Sequence, residues 1–402
     1  MNNKKVVLAF SGGLDTSYCV KYLTHELGLE VYSALVNTGG FDAEEVQQIE
    51  QRATSLGVHQ HKTIDVTDEF YQQGVKFLIY GNILKNNTYP LSVSAERVFQ
   101  AIAIANYAKE IESGYIAHGS TGAGNDQVRF DLVFNILAPE TEVITPIRDQ
   151  QLSREQEIQY LKSHGVEMNW EKAKYSINKG LWGTSVGGAE TLTSHQSLPD
   201  SAYPSPLRKQ DTEKISLYFH KGELTGLNGI EYSPVQAIRK LESMASQYAA
   251  GRDIHIGDTI IGIKGRVGFE AAAPMIIIKA HHTLEKHVLT RWQQYWKDQL
   301  AEWYGMLMHE GQYLDPVMRN IEKFMEDTQG NVTGSVEIEL SPYRFEVIGV
   351  QSDYDLMNSK FGDYGEMNNA WTGEDVKGFT KILANQTKIH HAINQNPLIT
   401  KK

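Results

Sequence analysis

Cysteine is nearly absent. Cys19 stands alone in 402 residues, so no intramolecular disulfide can form, a disulfide-stapled secreted scaffold is excluded, and a reducing compartment fits. Positive charge is short too. Lys and Arg number 38 against 49 Asp and Glu, a formal net charge of −11, which argues against a sequence-independent nucleic-acid binder, since that needs a basic face. No apolar run approaches the roughly 20 residues of a spanning helix. The start is basic and then apolar, but the apolar run 6–10 ends in Ser11-Gly12-Gly13 without a small-residue cleavage site, so it reads as a first strand rather than a secretory signal. Repeats and low-complexity tracts are missing as well. With 41% hydrophobic and 22% charged residues, global disorder is excluded, and at ~100–200 residues per domain the length suits about two domains. A cytoplasmic enzyme is expected.

What is present alternates strand and helix over the first part of the chain. Residues 5–10, 29–36, 58–66, 115–117 and 142–147 read as strands. Residues 14–27, 43–56, 92–113 and 153–164 read as helices, with Gly28, Gly57 and Gly165 as stops and Ser153 with Gln156 as a capping box. Strands separated by helices imply parallel pairing with right-handed crossovers, hence an α/β fold with a doubly wound parallel sheet over residues 1–167. Ligands collect beyond the carboxyl ends of such strands, where the Gly-rich segments after Phe10, Asn37 and Ala117 fall.

Past about Met168 the pattern changes, and an α+β second domain is expected over 168–365. Residues 175–210 read as a loop-dominated crossing. Strand-like runs follow at 215–220, 259–263, 275–279, 335–340 and 345–350. The longest helix signal is 283–309, with Leu284, Val288, Trp292, Tyr295, Trp296, Leu300, Trp303 and Leu307 at helical spacing; it is expected to be core or a subunit interface. A tail, 366–402, carries an amphipathic helix over 374–395 that docks on a partner subunit or on its own domain.

Two segments carry chemistry. In the first, Ala9, Phe10, Ser11, Gly12, Gly13, Leu14, Asp15, Thr16 and Ser17 link a strand to a helix. The glycines let backbone N–H groups approach an anion, hydroxyls add donors, and the helix N-terminus adds partial positive charge. The Gly-Lys-Ser/Thr ending of a Walker loop is missing, and adjacent glycines do not make a dinucleotide fingerprint. Asp15 in a phosphate site implies a divalent cation between carboxylate and ligand. In the second, His118-Gly-Ser-Thr-Gly-Ala-Gly-Asn-Asp-Gln-Val-Arg-Phe130, short polar groups can take up amines and carboxylates, and Arg129 can grip an anion in bidentate fashion.

The first string resembles the SGGxDS loop of the ATP pyrophosphatases, and the two segments together resemble the argininosuccinate synthase family. Tyr89 and Ser94, five apart, and Ser176 and Ser185, nine apart, agree in order and spacing. The resemblance is clear over 4–190 and weaker beyond. It implies an adenine nucleotide alpha hydrolase-like domain, a synthetase domain and a C-terminal helix. It further implies an ATP-dependent ligase: citrulline is activated as citrullyl-AMP with loss of pyrophosphate, and the amine of aspartate displaces AMP to give argininosuccinate. Carried over by position, Ala9 to Ser17, Val36 and Gly119 would bind ATP with its Mg2+. Thr121, Asn125 and Asp126 would bind aspartate, and Tyr89, Ser94, Asn125, Arg129, Ser176 and Ser185 citrulline. Asp15, Asp126 and Arg129 would be catalytic, with Asp126 holding and deprotonating the aspartate ammonium and Arg97 near the anionic ligands. No resident metal is implied. A homotetramer is, with the tail helix reaching a neighbour.

One departure stands out. The family commonly has a Glu near citrulline and a Tyr twelve residues later; the matching positions here are Gly257 and Phe269. Either Asp258 substitutes and citrulline itself is the acceptor, or the acceptor carries a blocked α-amino group, as in an N-acylated citrulline such as N-succinylcitrulline. His281, His282 and His287 lack metal-site spacing and read as packed or surface residues; His59 and His61 share a strand face and read as exposed; and Cys19, with no second thiol, reads as buried structure. Enzymes that thiolate tRNA or form lysidine share the SGGxDS loop, but the acidic charge and lone cysteine argue against them. A non-catalytic adenine-nucleotide module would need neither Asp15 nor the 118–130 loop.

Overall fold

A computed structural model describes residues 4–167, 175–357, 365–366 and 370–394. The expected boundary at 168 lies outside the described residues. Lys5–Ala9 (β1) carries the fully buried run Val6, Val7 and Leu8, as a central parallel strand covered on both faces should. Glu30–Asn37 (β2), Gln60–Asp65 (β3), Tyr115–Ala117 (β4) and Glu142–Ile144 (β5) complete a parallel sheet in the order β3-β2-β1-β4-β5. The order reverses between β1 and β4, so the loops leaving those two strands flank the crevice where doubly wound sheets bind ligands. Alternation along β1 feeds two cores. Val6 and Leu8 pack with Cys19, Leu23 and Ala53; Val7 joins a larger core that continues through Phe99, Trp182 and Phe269 to Ile276 and Leu284. Cys19 is free and buried, which pushes its thiol well up.

The expected loop-dominated crossing instead contains a hairpin, Ser176–Gly180 (β6) and Gly183–Gly187 (β7). Its residues have little apolar periodicity because both strands are short and Gly-bounded. After it come Glu213–His220 (β8), Glu223–Leu227 (β9), Ile230–Glu231 (β10), Arg252–Asp258 (β11), Lys264–Glu270 (β12), Gly334–Ser341 (β13) and Arg344–Gln351 (β14). They build two further sheets, β10-β9-β8-β13-β14 and β11-β12-β7-β6, antiparallel throughout. Residues 259–263 are not a strand but the turn joining β11 to β12, closed by Thr259 N–H on the Ile263 carbonyl at 2.8 Å. Residues 275–279 lie inside the helix Ala272–Val288.

The single helix expected over 283–309 is two, Ala272–Val288 and Arg291–His309, broken at Leu289-Thr290. Thr290 caps the second, its hydroxyl accepting from the Gln293 N–H and Gln293 answering on the Thr290 N–H at 3.0 Å. The break turns the stripe: Leu284 and Val288 are buried, while Trp292, Tyr295, Trp296 and Trp303 stand 53–60% exposed. The tail likewise holds two helices, Gly373–Leu383 and Asn385–Asn394, neither with a buried residue. By compactness the chain forms two units, through Asp353 and from Tyr354 onward.

Candidate active site

The turn after β1 begins the helix Leu14–His25 with Asp15 in its first turn. Gly12 takes φ +75°, the left-handed region that a side chain adopts only with strain, and Arg52 donates to its carbonyl. The hydroxyls of Ser17 and Thr16 both donate back to the Gly13 carbonyl, at 2.7 and 3.3 Å. They brace the turn, leaving backbone N–H groups and the helix N-terminus to face an anion. Behind Asp15 lies Glu157, almost fully buried, whose carboxyl is pushed up by burial and by Asp15's charge.

This turn forms one wall of a cavity of about 830 Å³. Ala9, Phe10, Ser11, Gly13, Leu14, Asp15 and Thr16 line it with Val36, Gly119, Thr121, Asp126 and Ser176. Gly12 and Ser17 do not line it. Tyr89, Ser94, Asn125, Arg129 and Ser185 do not line it. Sequence reading missed Glu96, Gln100, His118, Arg154, Asn178 and Lys179, which do. Glu96 neighbours Arg97 in one helix turn, and that adjacency was the available signal; Asn178 and Lys179 belong to the unforeseen β6.

Arg97, on the helix Ser94–Glu110, lines the same cavity as the turn after β1. Its Nε donates to Asp126 Oδ2 at 3.0 Å, and its Nη atoms reach Glu96, Gln100 and Asn178 at 3.2, 2.9 and 3.2 Å. Asp126 opens the helix Asp126–Leu137 and also accepts from Arg129 Nη1 at 2.8 Å. Burial works against its charge, but the two guanidiniums hold its carboxyl below the usual range. Arg129 is itself clamped: Nε donates to the His309 carbonyl at 2.8 Å and Nη2 to His309 Nδ1 at 3.3 Å. His309 is therefore neutral, driven down to about 2 by burial and by Arg129. His118 accepts from the Ser120 N–H on Nδ1 and donates from Nε2 to Asp131, which Arg148 meets at 2.6 Å. That chain fixes the base of the 118–130 loop.

Asn125 ties this loop to the second domain, its Oδ1 accepting from the Ile260 N–H at 2.8 Å. Tyr89 is buried, its phenol oxygen accepting from the Val93 N–H at 3.2 Å. His255 of β11 stacks on it at 5.2 Å, and Phe269 of β12 packs at 5.6 Å. Ser94 opens its helix with its hydroxyl on the Leu91 carbonyl. In the β6–β7 hairpin Ser185 pairs directly with Asn178, and Ser176 lies two residues from Asn178, so all three share one face. Asp258 stands at the exposed end of β11 in an ion pair with Lys264 at 2.6 Å, away from Tyr89's stacked neighbours. Among the described residues no group of three or more His, Cys, Asp or Glu is placed to hold a metal. His281 is packed, not on the surface: its ring meets Asn82 and Gln329 at 2.7 and 2.9 Å. His61 is half-buried on Ser33 at 2.8 Å.

A family model described as "Arginosuccinate synthase N-terminal HUP domain" matches residues 5–167, and one described as "Arginosuccinate synthase C-terminal domain" matches 175–390. The chain belongs to the argininosuccinate synthase family. Curated members similar to it include argininosuccinate synthases from Dictyoglomus turgidum, 36% identical over 97% of this chain and 98% of that one, from Methanocaldococcus jannaschii, 36% identical over 90% and 91%, and from Xanthomonas campestris, 35% identical over 98% and 100%. The two matches together cover both the parallel sheet and β6, whose residues line the cavity.

Proposed function

We propose that this chain is an argininosuccinate synthase: it joins citrulline to aspartate with conversion of ATP to AMP and pyrophosphate. The observation that carries this reading is the one cavity shared by the glycine-rich turn after β1 and by Arg97 and Asp126, with Arg129 holding Asp126 from outside the lining at 2.8 Å. ATP takes the turn from Ala9 to Ser17, together with Val36 and Gly119. Mg2+ enters with ATP as part of the substrate, and Asp15 on the cavity wall is the carboxylate placed to meet it. Thr121, Asn125 and Asp126 take aspartate, whose ammonium suits Asp126, a carboxyl that burial raises but Arg97 and Arg129 hold below the usual range. Citrulline takes Tyr89, Ser94, Asn125, Arg129, Ser176 and Ser185, of which Ser176 lines the cavity. The ureido oxygen attacks the α-phosphorus and pyrophosphate leaves; the amine of aspartate then attacks the activated carbon and AMP leaves. No nucleophilic side chain is required, so the protein contributes position and charge.

Residues 1–167 supply the nucleotide site and most of the aspartate and citrulline residues, 168–365 add Ser176 and Ser185 and the multimerisation surface, and 366–402 reach a neighbouring subunit in a homotetramer. The buried lone thiol accords with a cytoplasmic setting. A second reading of the acceptor rests on His255. A side chain at Gly257 would collide with its Nε2. Burial and nearby Lys85 push its imidazole below the usual range, and its buried Nδ1 has no partner. An unpartnered ring nitrogen with Lys85 nearby supports an acceptor whose α-nitrogen is acylated. The test is AMP and pyrophosphate formation with aspartate and each of citrulline, N-acetylcitrulline and N-succinylcitrulline. Turnover that requires both an acceptor and aspartate is expected; ATP cleavage indifferent to aspartate would refute the ligase reading, and exclusive use of free citrulline would remove the acylated one.

A further inference from the structure

Attack by aspartate needs an uncharged amine, yet the acid delivers an ammonium. Two carboxylates face the cavity near where that ammonium must lie, and their surroundings separate their roles. Asp126 has one oxygen on Arg97 and the other on Arg129, at 3.0 and 2.8 Å. It stays ionised and is a weak proton acceptor. Glu96 is different. Its side chain is 1% exposed yet lines the cavity. One oxygen accepts from the Thr38 hydroxyl at 2.8 Å, and the other meets Arg97 at 3.2 Å. Gly180 on β6 leaves it room, since a side chain there would overlap Glu96 Oε2.

We infer that Glu96 is the general base that takes the proton from the ammonium of bound aspartate, while Asp126 holds that ammonium in place. The inference rests on the ligase reading above. The step balances as follows. One N–H proton passes to a Glu96 oxygen, and the freed lone pair forms the new C–N bond. The C–O bond to the adenylate breaks with its electron pair going to AMP, and the amine's second proton leaves with the AMP phosphate. The groups around Glu96 set its readiness. Burial pushes its carboxyl up to about 7, Arg97 and the Thr38 hydroxyl act against that, and Asp126 adds to it. Thr38 and Gly180 bring no charge, and the neighbouring Lys179 ammonium is spent on Glu45 at 3.5 Å. An acceptor poised near the working pH is the efficient case.

The test uses the isosteric Glu96→Gln in the full chain, with whichever acceptor the wild type uses. Three readouts are taken: the burst of pyrophosphate from ATP and acceptor without aspartate, steady turnover with aspartate, and turnover with hydroxylamine, a nucleophile already uncharged at neutral pH. The expected result is a roughly 10²–10³-fold loss with aspartate, disappearance of the acidic limb of the pH–rate profile near 7, a retained burst, and hydroxylamine turnover within a few-fold of wild type. Glu96→Asp should recover part of the loss. Equal losses with both nucleophiles would make Glu96 a structural residue, and unchanged turnover with its acidic limb intact would also overturn the inference. A wild type with no acceptor-dependent burst would instead defeat the ligase reading.

Discussion

Asp126 sits between two guanidiniums, and that position decides what its removal does. Asp126→Ala should lower product formation by roughly 10²-fold or more, because both the ammonium's counter-charge and the placement of Arg97 and Arg129 go together. ATP binding, read by calorimetry, should stay within a few-fold, since the phosphate turn after β1 stands on Arg52, Thr16 and Ser17 and not on Asp126. Near-normal turnover in this variant would disprove its role. Of the residues named from sequence, those in the phosphate turn were legible because their chemistry is local: adjacent glycines, hydroxyls and a helix start. Glu96 and Arg154 were not, because a glutamate or arginine in a helix looks the same whether it faces solvent or a cavity.

At the level of elements, the helices Ala272–Val288 and Arg291–His309 meet over a fully buried ion pair, Glu285 with Lys297 at 2.6 Å. Lys297 also donates to the Tyr80 carbonyl, and Gln329 and Asn82 satisfy the other Glu285 contacts. A buried charge left without its partner is costly. Lys297→Met should therefore cost roughly 3–5 kcal/mol, read as a lower urea midpoint at unchanged slope. Adding Glu285→Gln should return part of it, and a loss below about 1 kcal/mol would mean the pair is not desolvated in solution. The break at Thr290 explains why one long helix was the natural sequence reading: apolar spacing continues across it, and only the capping pair Thr290 and Gln293 marks the stop. The turn at 259–263 misled in the same way, as three isoleucines in five residues suit a strand yet here close one.

For the whole molecule, four exposed aromatics on one helix face exceed what scattered surface residues explain. Trp292, Tyr295, Trp296 and Trp303 project from Arg291–His309, and the proposed homotetramer would cover them. Trp296→Glu with Trp303→Glu should shift the sedimentation coefficient from a tetramer to a smaller species while far-UV circular dichroism is kept; an unchanged tetramer would place the interface elsewhere.

The linear chain was sufficient for the parallel sheet and the glycine-rich turn, because these depend on short-range patterning: buried strands, helices between them, and a loop whose chemistry lies within nine consecutive residues; the reaction class came with the family resemblance of the two loops. It also sufficed for the oddity at Gly257. Tertiary structure alone decided which side chains meet. It set Asp126 between Arg97 and Arg129, laid His255 over Tyr89, turned the tryptophans outward and brought β6 across from the loop after β2, with Glu96 between Thr38 and Gly180. Contacts around the cavity join residues up to 180 positions apart, as Arg129 with His309. The spacing of residues along a chain carries no record of such meetings, and yet burial and opposing charge at these points are what separate an ionised holder from a candidate base.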